Sequence, residues 1–177
     1  MTITLISGLA AALLIWTMLT DFLYAVIPNT VSASIAMLFV AFAVASGMPW
    51  ATWMAAMGAG GAMLAAGFAL FALGVIGGGD AKLLAATALW AGWPGLPDLL
   101  ITMGLFGGLV TLPIILSHER FAHSRRLARS ALGHRVARLG TGRSVEITAA
   151  QPTDRMIPYG IAISAAALPV ILVPIGF

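Results

Sequence analysis

Up to Ala81 the chain carries only two side-chain charges, Asp21 and Asp80, and residues 22 to 79 carry none at all. A charge-free stretch of that length exceeds the roughly 20 residues that one helix needs to cross a bilayer, so it must hold more than one crossing. In lipid every backbone N–H and C=O has to be satisfied within the protein, which leaves helices as the natural form for such a segment. The composition agrees: 60% hydrophobic residues, 8% charged residues and a mean hydropathy of +1.02 describe an integral membrane protein, not a water-soluble domain. With 177 residues there is room for one polytopic membrane domain over 1–177 and no sizeable soluble domain.

A pI near 10.2 would suggest nucleic acid, but eight of the nine basic residues fall between Arg120 and Arg155. That clustering points to one basic loop, so no nucleic-acid partner is expected. The absence of cysteine rules out disulfides, thiolate zinc sites and a cysteine nucleophile. The first residues, MTITLISGLA, lack the positive region of a cleaved signal peptide.

The expected fold is an all-α bundle of six transmembrane helices. Residues 1–20 form the first. Gly47-Met48-Pro49-Trp50 punctuates the long uncharged run, giving a second helix near 31–46 and a third near 51–75. A fourth runs from Asp80 to about Trp93 and ends at Pro94-Gly95-Leu96-Pro97; a fifth covers 98–117; a sixth covers 157–176 after the polar stretch 118–156. Alternate connections then share a side, so Asp21, the Gly77-Gly78-Gly79-Asp80 turn and the basic loop lie on one face. By the positive-inside rule that face is cytoplasmic and both termini lie outside. Trp50, Trp53, Trp90 and Trp93 are all expected at the opposite interface, where indole rings tend to settle.

A carboxylate near lipid costs a few kcal/mol and is rarely kept without a use. From Asp80 to Trp93 is 14 residues, about 21 Å of helix, so Asp80 should lie somewhat below the cytoplasmic surface. The glycines before it permit positive φ and close approach of another backbone, and a flexible turn in a wet notch is the expected setting. If the two carboxylates come within a few Å, they share one proton. One can then take a proton from water attacking a peptide carbonyl, while its protonated partner polarises that carbonyl and later protonates the leaving amine. This chemistry needs neither metal nor cofactor. The sequence places the two aspartates on one face; it does not itself bring them together.

The segment Phe71–Leu84, with GGGDAKLL at its heart and Leu89-Trp90-Ala91-Gly92-Trp93-Pro94 after it, resembles the GxGDxKL region of type IV prepilin peptidases. Asp21 followed by Ile27-Pro28-Asn29 resembles that family's first aspartate motif, and Ile157-Pro158-Tyr159-Gly160 its C-terminal PYG segment. The nearest likeness is to the short enzymes of Flp/Tad pilus systems, the CpaA or TadV type. The resemblance implies an aspartic endopeptidase of the bacterial inner membrane that removes prepilin leaders after a glycine, with Asp21 and Asp80 as the catalytic pair. Gly77, Gly79, Lys82, Pro28 and Asn29 become its supporting residues. Implied partners are the prepilin, membrane lipid and the pilus secretion machinery.

The chain departs from the family in two respects. Phe22-Leu23-Tyr24-Ala25-Val26 replaces the basic residues that often follow the first aspartate, and the cysteine-bearing region associated with N-methylation is missing, so cleavage without methyl transfer is expected. Several features admit two readings. Lys82 either snorkels to the interface or acts electrostatically near Asp80; Pro28 and Asn29 either start a helix or touch substrate. The basic stretch either lies on anionic lipid as an amphipathic helix or docks partners. Gly104 to Gly108 read as helix packing.

His118-Glu119-Arg120-Phe121-Ala122-His123 is not a zinc HExxH, because the second histidine comes one position late. GGGDAK lacks the ending of a phosphate-binding loop. A small proton-coupled transporter with Asp21 and Asp80 as relay is the alternative function, but it would call for midplane carboxylates and internal repeats, and the sequence has neither.

Overall fold

The computed structural model describes residues 1–24, 26–116 and 159–172. The basic stretch 118–156, Pro158 and the end of the sixth expected helix lie outside the described residues. The described residues form five helices: α1 (Thr2–Tyr24), α2 (Asn29–Ala45), α3 (Trp50–Ala72), α4 (Gly78–Leu116) and α5 (Tyr159–Leu172). No strand occurs among the described residues. Among the described residues, three segments are long and apolar enough to cross a membrane: Thr2–Tyr24, Trp50–Ala72 and Gly78–Leu112.

The breaks fall where the local chemistry requires them. After α2, Gly47 adopts φ 65 while the Met48 N–H donates to Ala43 O at 3.0 Å, so the chain turns and Pro49 opens α3. The expected turn over Pro94–Pro97 is corrected: the backbone leaves helical geometry at Gly92 alone (φ 58, ψ −177), and α4 is two helical arms, 78–91 and 93–116. A residue with a Cβ would be strained at that φ, whereas Pro94 falls in the first turn of the second arm, where N–H groups have no helical acceptor anyway, and Pro97, one turn in, forgoes only the bond to Trp93 O.

The helices bury different fractions of their surface. On α1 the buried positions Ala10, Leu14, Thr17 and Asp21 follow one another at intervals of four, three and four, a single helical stripe. On the first arm of α4, Leu83, Thr87 and Trp90 form the matching stripe, with Asp80 three residues before its start. The short α5 is buried around most of its circumference, against α1 and α4. By contrast α3 buries only Ala56, Ala59, Gly60 and Gly67, the small residues that let its backbone approach the first arm of α4 closely. A Cβ at Gly67 would sit 3.0 Å from the Cβ of Ala81, and one at Gly60 would collide with Leu89, so α3 and this arm run antiparallel. Of Gly104, Gly107 and Gly108, expected to pack, only Gly107 faces a neighbour, Ala162; Gly104 and Gly108 have open space.

Trp90 departs from the expected interfacial belt. It is 1% exposed, its indole N–H donates to Ile35 O at 3.1 Å, and its ring packs on Phe39 and Phe42 with centroids 5.8 and 5.1 Å away. A buried indole with its N–H satisfied is a core anchor. Trp50 and Trp93 remain exposed, with Trp53 packed against Trp50 at 5.5 Å.

Candidate active site

Asp21 ends the interior stripe of α1 and is therefore carried into the bundle, where it is 4% exposed. Its Oδ2 accepts a hydrogen bond from the Ile161 N–H at 3.0 Å. Ile161 belongs to the first turn of α5, whose amides have no acceptor within their own helix and carry the positive end of its dipole. The approach is so close that a Cβ on Gly160 would lie 2.9 Å from both Cγ and Oδ2 of Asp21. Only glycine fits there without displacing the carboxylate.

Asp80 is the third residue of α4 and half-buried. Its Oδ2 accepts the Gly77 N–H at 3.1 Å, and a Cβ on Gly77 would fall 2.9 Å from that same oxygen. Gly77 thus lets its own amide reach the carboxylate. Gly79 lies against Ile27, with a notional Cβ 3.0 Å from the Ile27 Cβ and 3.2 Å from its carbonyl oxygen. Of the two reasons expected for these glycines, close approach holds and positive φ does not. Positive φ occurs at Gly74, which closes the end of α3 as the Val75 N–H donates to Leu70 O at 2.9 Å. Gly78 and Gly79 already belong to α4, so the expected flexible turn is a helix start.

Lys82 projects from the exposed flank of α4, and its Nζ donates to Asn29 Oδ1 at 2.8 Å. That bond ties the starts of α2 and α4 together. Pro28 holds extended geometry (φ −63, ψ 133) and its carbonyl accepts the Val31 N–H at 3.0 Å, which is the helix-start role. All seven residues singled out in the sequence therefore lie at one end of the bundle, where α1 ends and α2, α4 and α5 begin. Two further residues belong with them, Gly160 beside Asp21 and Ile27 between the two aspartate-bearing regions. Gly160 was visible in the sequence only as part of the Pro158-Tyr159-Gly160 motif; its part at Asp21 follows from its place in the first turn of α5, since a buried carboxylate needs donors and a helix start supplies them.

Two carboxylates at one end of an apolar bundle, each held by a backbone amide, suit acid–base chemistry on a bond presented near that end. Ser32 and Ser164, in the early turns of α2 and α5, are buried, and their hydroxyl oxygens have no hydrogen-bond partner among the described residues.

A model of the Type IV leader peptidase family matches residues 8–112, a span that includes both aspartates and the Gly77–Lys82 run. No curated protein and no solved structure gives a significant match to the chain.

Proposed function

The chain belongs to the Type IV leader peptidase family, and from that premise we propose that it is an aspartic endopeptidase in which Asp21 and Asp80 form the catalytic pair. The observation that carries the reading is the convergence of two interior stripes, one ending at Asp21 and one extending back to Asp80, on a single end of the bundle. The reaction is general acid–base hydrolysis. Water adds to the carbonyl carbon of the scissile peptide as one carboxylate accepts its proton, and the protonated partner donates a hydrogen bond to the carbonyl oxygen. The tetrahedral intermediate then collapses with the C–N bond breaking, and the amine leaves with a proton from the pair.

The substrate class follows from the family, whose members act on prepilin leaders. Within it, we place the chain with the short Flp/Tad enzymes of the CpaA or TadV type, cutting after the leader's final glycine without methylating the new N-terminus. The two arms of α4 serve as the fourth and fifth of six crossings, with the aspartate end cytoplasmic, both termini outside and the whole in the bacterial inner membrane. Lys82 on that end and the basic stretch 118–156 agree with the positive-inside rule. A prepilin with a basic leader is held by the same bias, so its leader junction meets the aspartates at the cytoplasmic edge. Lipid surrounds the bundle, and the secretion machinery is the destination of the product.

Incubating the purified protein in detergent with a Flp-type prepilin tests this directly. One cut at the leader glycine is expected, identified by mass of the product. Asp21→Asn and Asp80→Asn should each reduce the rate by several orders of magnitude while circular dichroism stays unchanged, because each removes a member of the proton cycle. Near wild-type cleavage by either variant would refute the pair, and cleavage in the middle of the substrate helix would refute the prepilin specificity.

A further inference from the structure

Ile27 is an apolar residue in the short link before α2, yet it is 9% exposed and stands among the groups that hold both aspartates. On one side its Cβ and carbonyl oxygen press on Gly79, the residue bonded to Asp80. On the other its Cδ1 reaches Gly160, where a Cβ would lie 2.6 Å from it and 2.9 Å from the Asp21 carboxylate. One side chain therefore spans from the backbone carrying Asp80 to the backbone packed on Asp21. Both faces meet glycine, so nothing compressible stands between Ile27 and either main chain.

We propose that Ile27 is a positioning residue, a spacer that sets the separation of the Asp21 and Asp80 carboxylates; the proposal rests on their reading as a catalytic pair. Isoleucine suits this role physically. Branching at Cβ restricts χ1, so the distance from its backbone to Cδ1 is held more firmly than in an unbranched residue. The pair in turn requires a firm distance. Two carboxylates share a proton only when a few Å apart, and an error of about 1 Å in placing catalytic groups costs on the order of 10²-fold in rate.

Ile27→Ala removes the contact with Gly160 and most of that with Gly79. It should lower kcat by about 10²-fold with KM within about twofold of wild type, because the group lost sets geometry and does not bind substrate. Ile27→Val keeps the branch against Gly79 and loses only the reach to Gly160, so an intermediate fall in kcat is expected.

The second readout does not depend on catalysis. The chain contains no cysteine, so Asp21→Cys/Asp80→Cys provides a unique thiol pair. Bridging it with bifunctional reagents of graded length reports the separation, and that length profile should shift when Ile27→Val or Ile27→Ala is added. An unchanged profile in both variants overturns the spacer, as does unchanged kcat in both where Asp21→Asn and Asp80→Asn abolish cleavage. If the profile shifts while Asp21→Asn or Asp80→Asn still cleaves, the spacer stands and the catalytic pair is refuted. Helical content by circular dichroism is compared throughout, and Ile27→Val decides the matter should Ile27→Ala fail to fold.

Discussion

Gly160→Ala puts the smallest possible side chain where the structure has no room for one. The new Cβ would lie 2.9 Å from the Asp21 Cγ and Oδ2 and 2.6 Å from the Ile27 Cδ1. Comfortable carbon contacts start near 3.5 Å, so the carboxylate or the start of α5 has to retreat by about 0.5 Å or more. That motion stretches the 3.0 Å bond from the Ile161 N–H. A hydrogen bond to a charged acceptor contributes about 1.5–3 kcal/mol, and at 1.36 kcal/mol per tenfold its loss from the reacting geometry corresponds to roughly 10–150-fold in rate. The cost of misplacing a catalytic group by about 1 Å, on the order of 10²-fold, leads to the same range. Initial rates of prepilin cleavage in detergent, with thermal unfolding followed in parallel, are the assay. Gly107→Ala is the control, since its Cβ would meet Ala162 at an ordinary 3.7 Å and should leave the rate unchanged. Activity of Gly160→Ala within threefold of wild type would refute the claim that this glycine sets the position of Asp21.

Trp90→Ala should destabilise the fold by about 3–5 kcal/mol, because a fully buried ring is removed; Trp90→Phe should cost about 0.5–1.5 kcal/mol for the lost indole N–H bond to Ile35 O, a carbonyl that keeps its place in the helical ladder of α2, both read from thermal or denaturant unfolding in detergent. Lys82→Met and Asn29→Ala each break the same 2.8 Å bond, so the double variant should lose no more activity than the worse single one, and additive losses would show that the two act separately. Cysteines placed at Pro49 and Pro97 should label from the side of the membrane opposite to a cysteine at Ser130; labelling from one side rules out the six-crossing arrangement.

Much of this architecture was legible because membrane segments are written in long apolar runs and in the residues that interrupt them. The Gly47–Pro49 break was read at the right place because glycine and proline there do separate jobs, one supplying positive φ and the other opening the next helix. Pro94-Gly95-Leu96-Pro97 misled for the same reason it attracted attention: two prolines suggest a loop, yet near the start of a helix they forgo at most one helical bond, and the backbone leaves helical geometry at Gly92 instead. Trp90 was misplaced because an indole near a helix end reads alike whether it faces the headgroups or a carbonyl of the neighbouring helix. Both aspartates stood out by charge alone. Gly160 and Ile27 did not, since their importance lies in a contact between positions far apart in the chain, and neither carries a polar group to advertise it.

The site's construction explains why such uncharged positions matter. Each carboxylate accepts a main-chain N–H, from Ile161 for Asp21 and from Gly77 for Asp80. Amide donors orient an oxygen without adding a full charge. That choice puts the burden of precision on backbone approach, and backbone approach on the glycines and on the apolar side chain wedged between them. It also accounts for the position of Lys82, the one cation before the basic stretch, whose ammonium is bound to Asn29 on the exposed flank. There it can fasten α2 to α4 while its charge is engaged by a neutral acceptor.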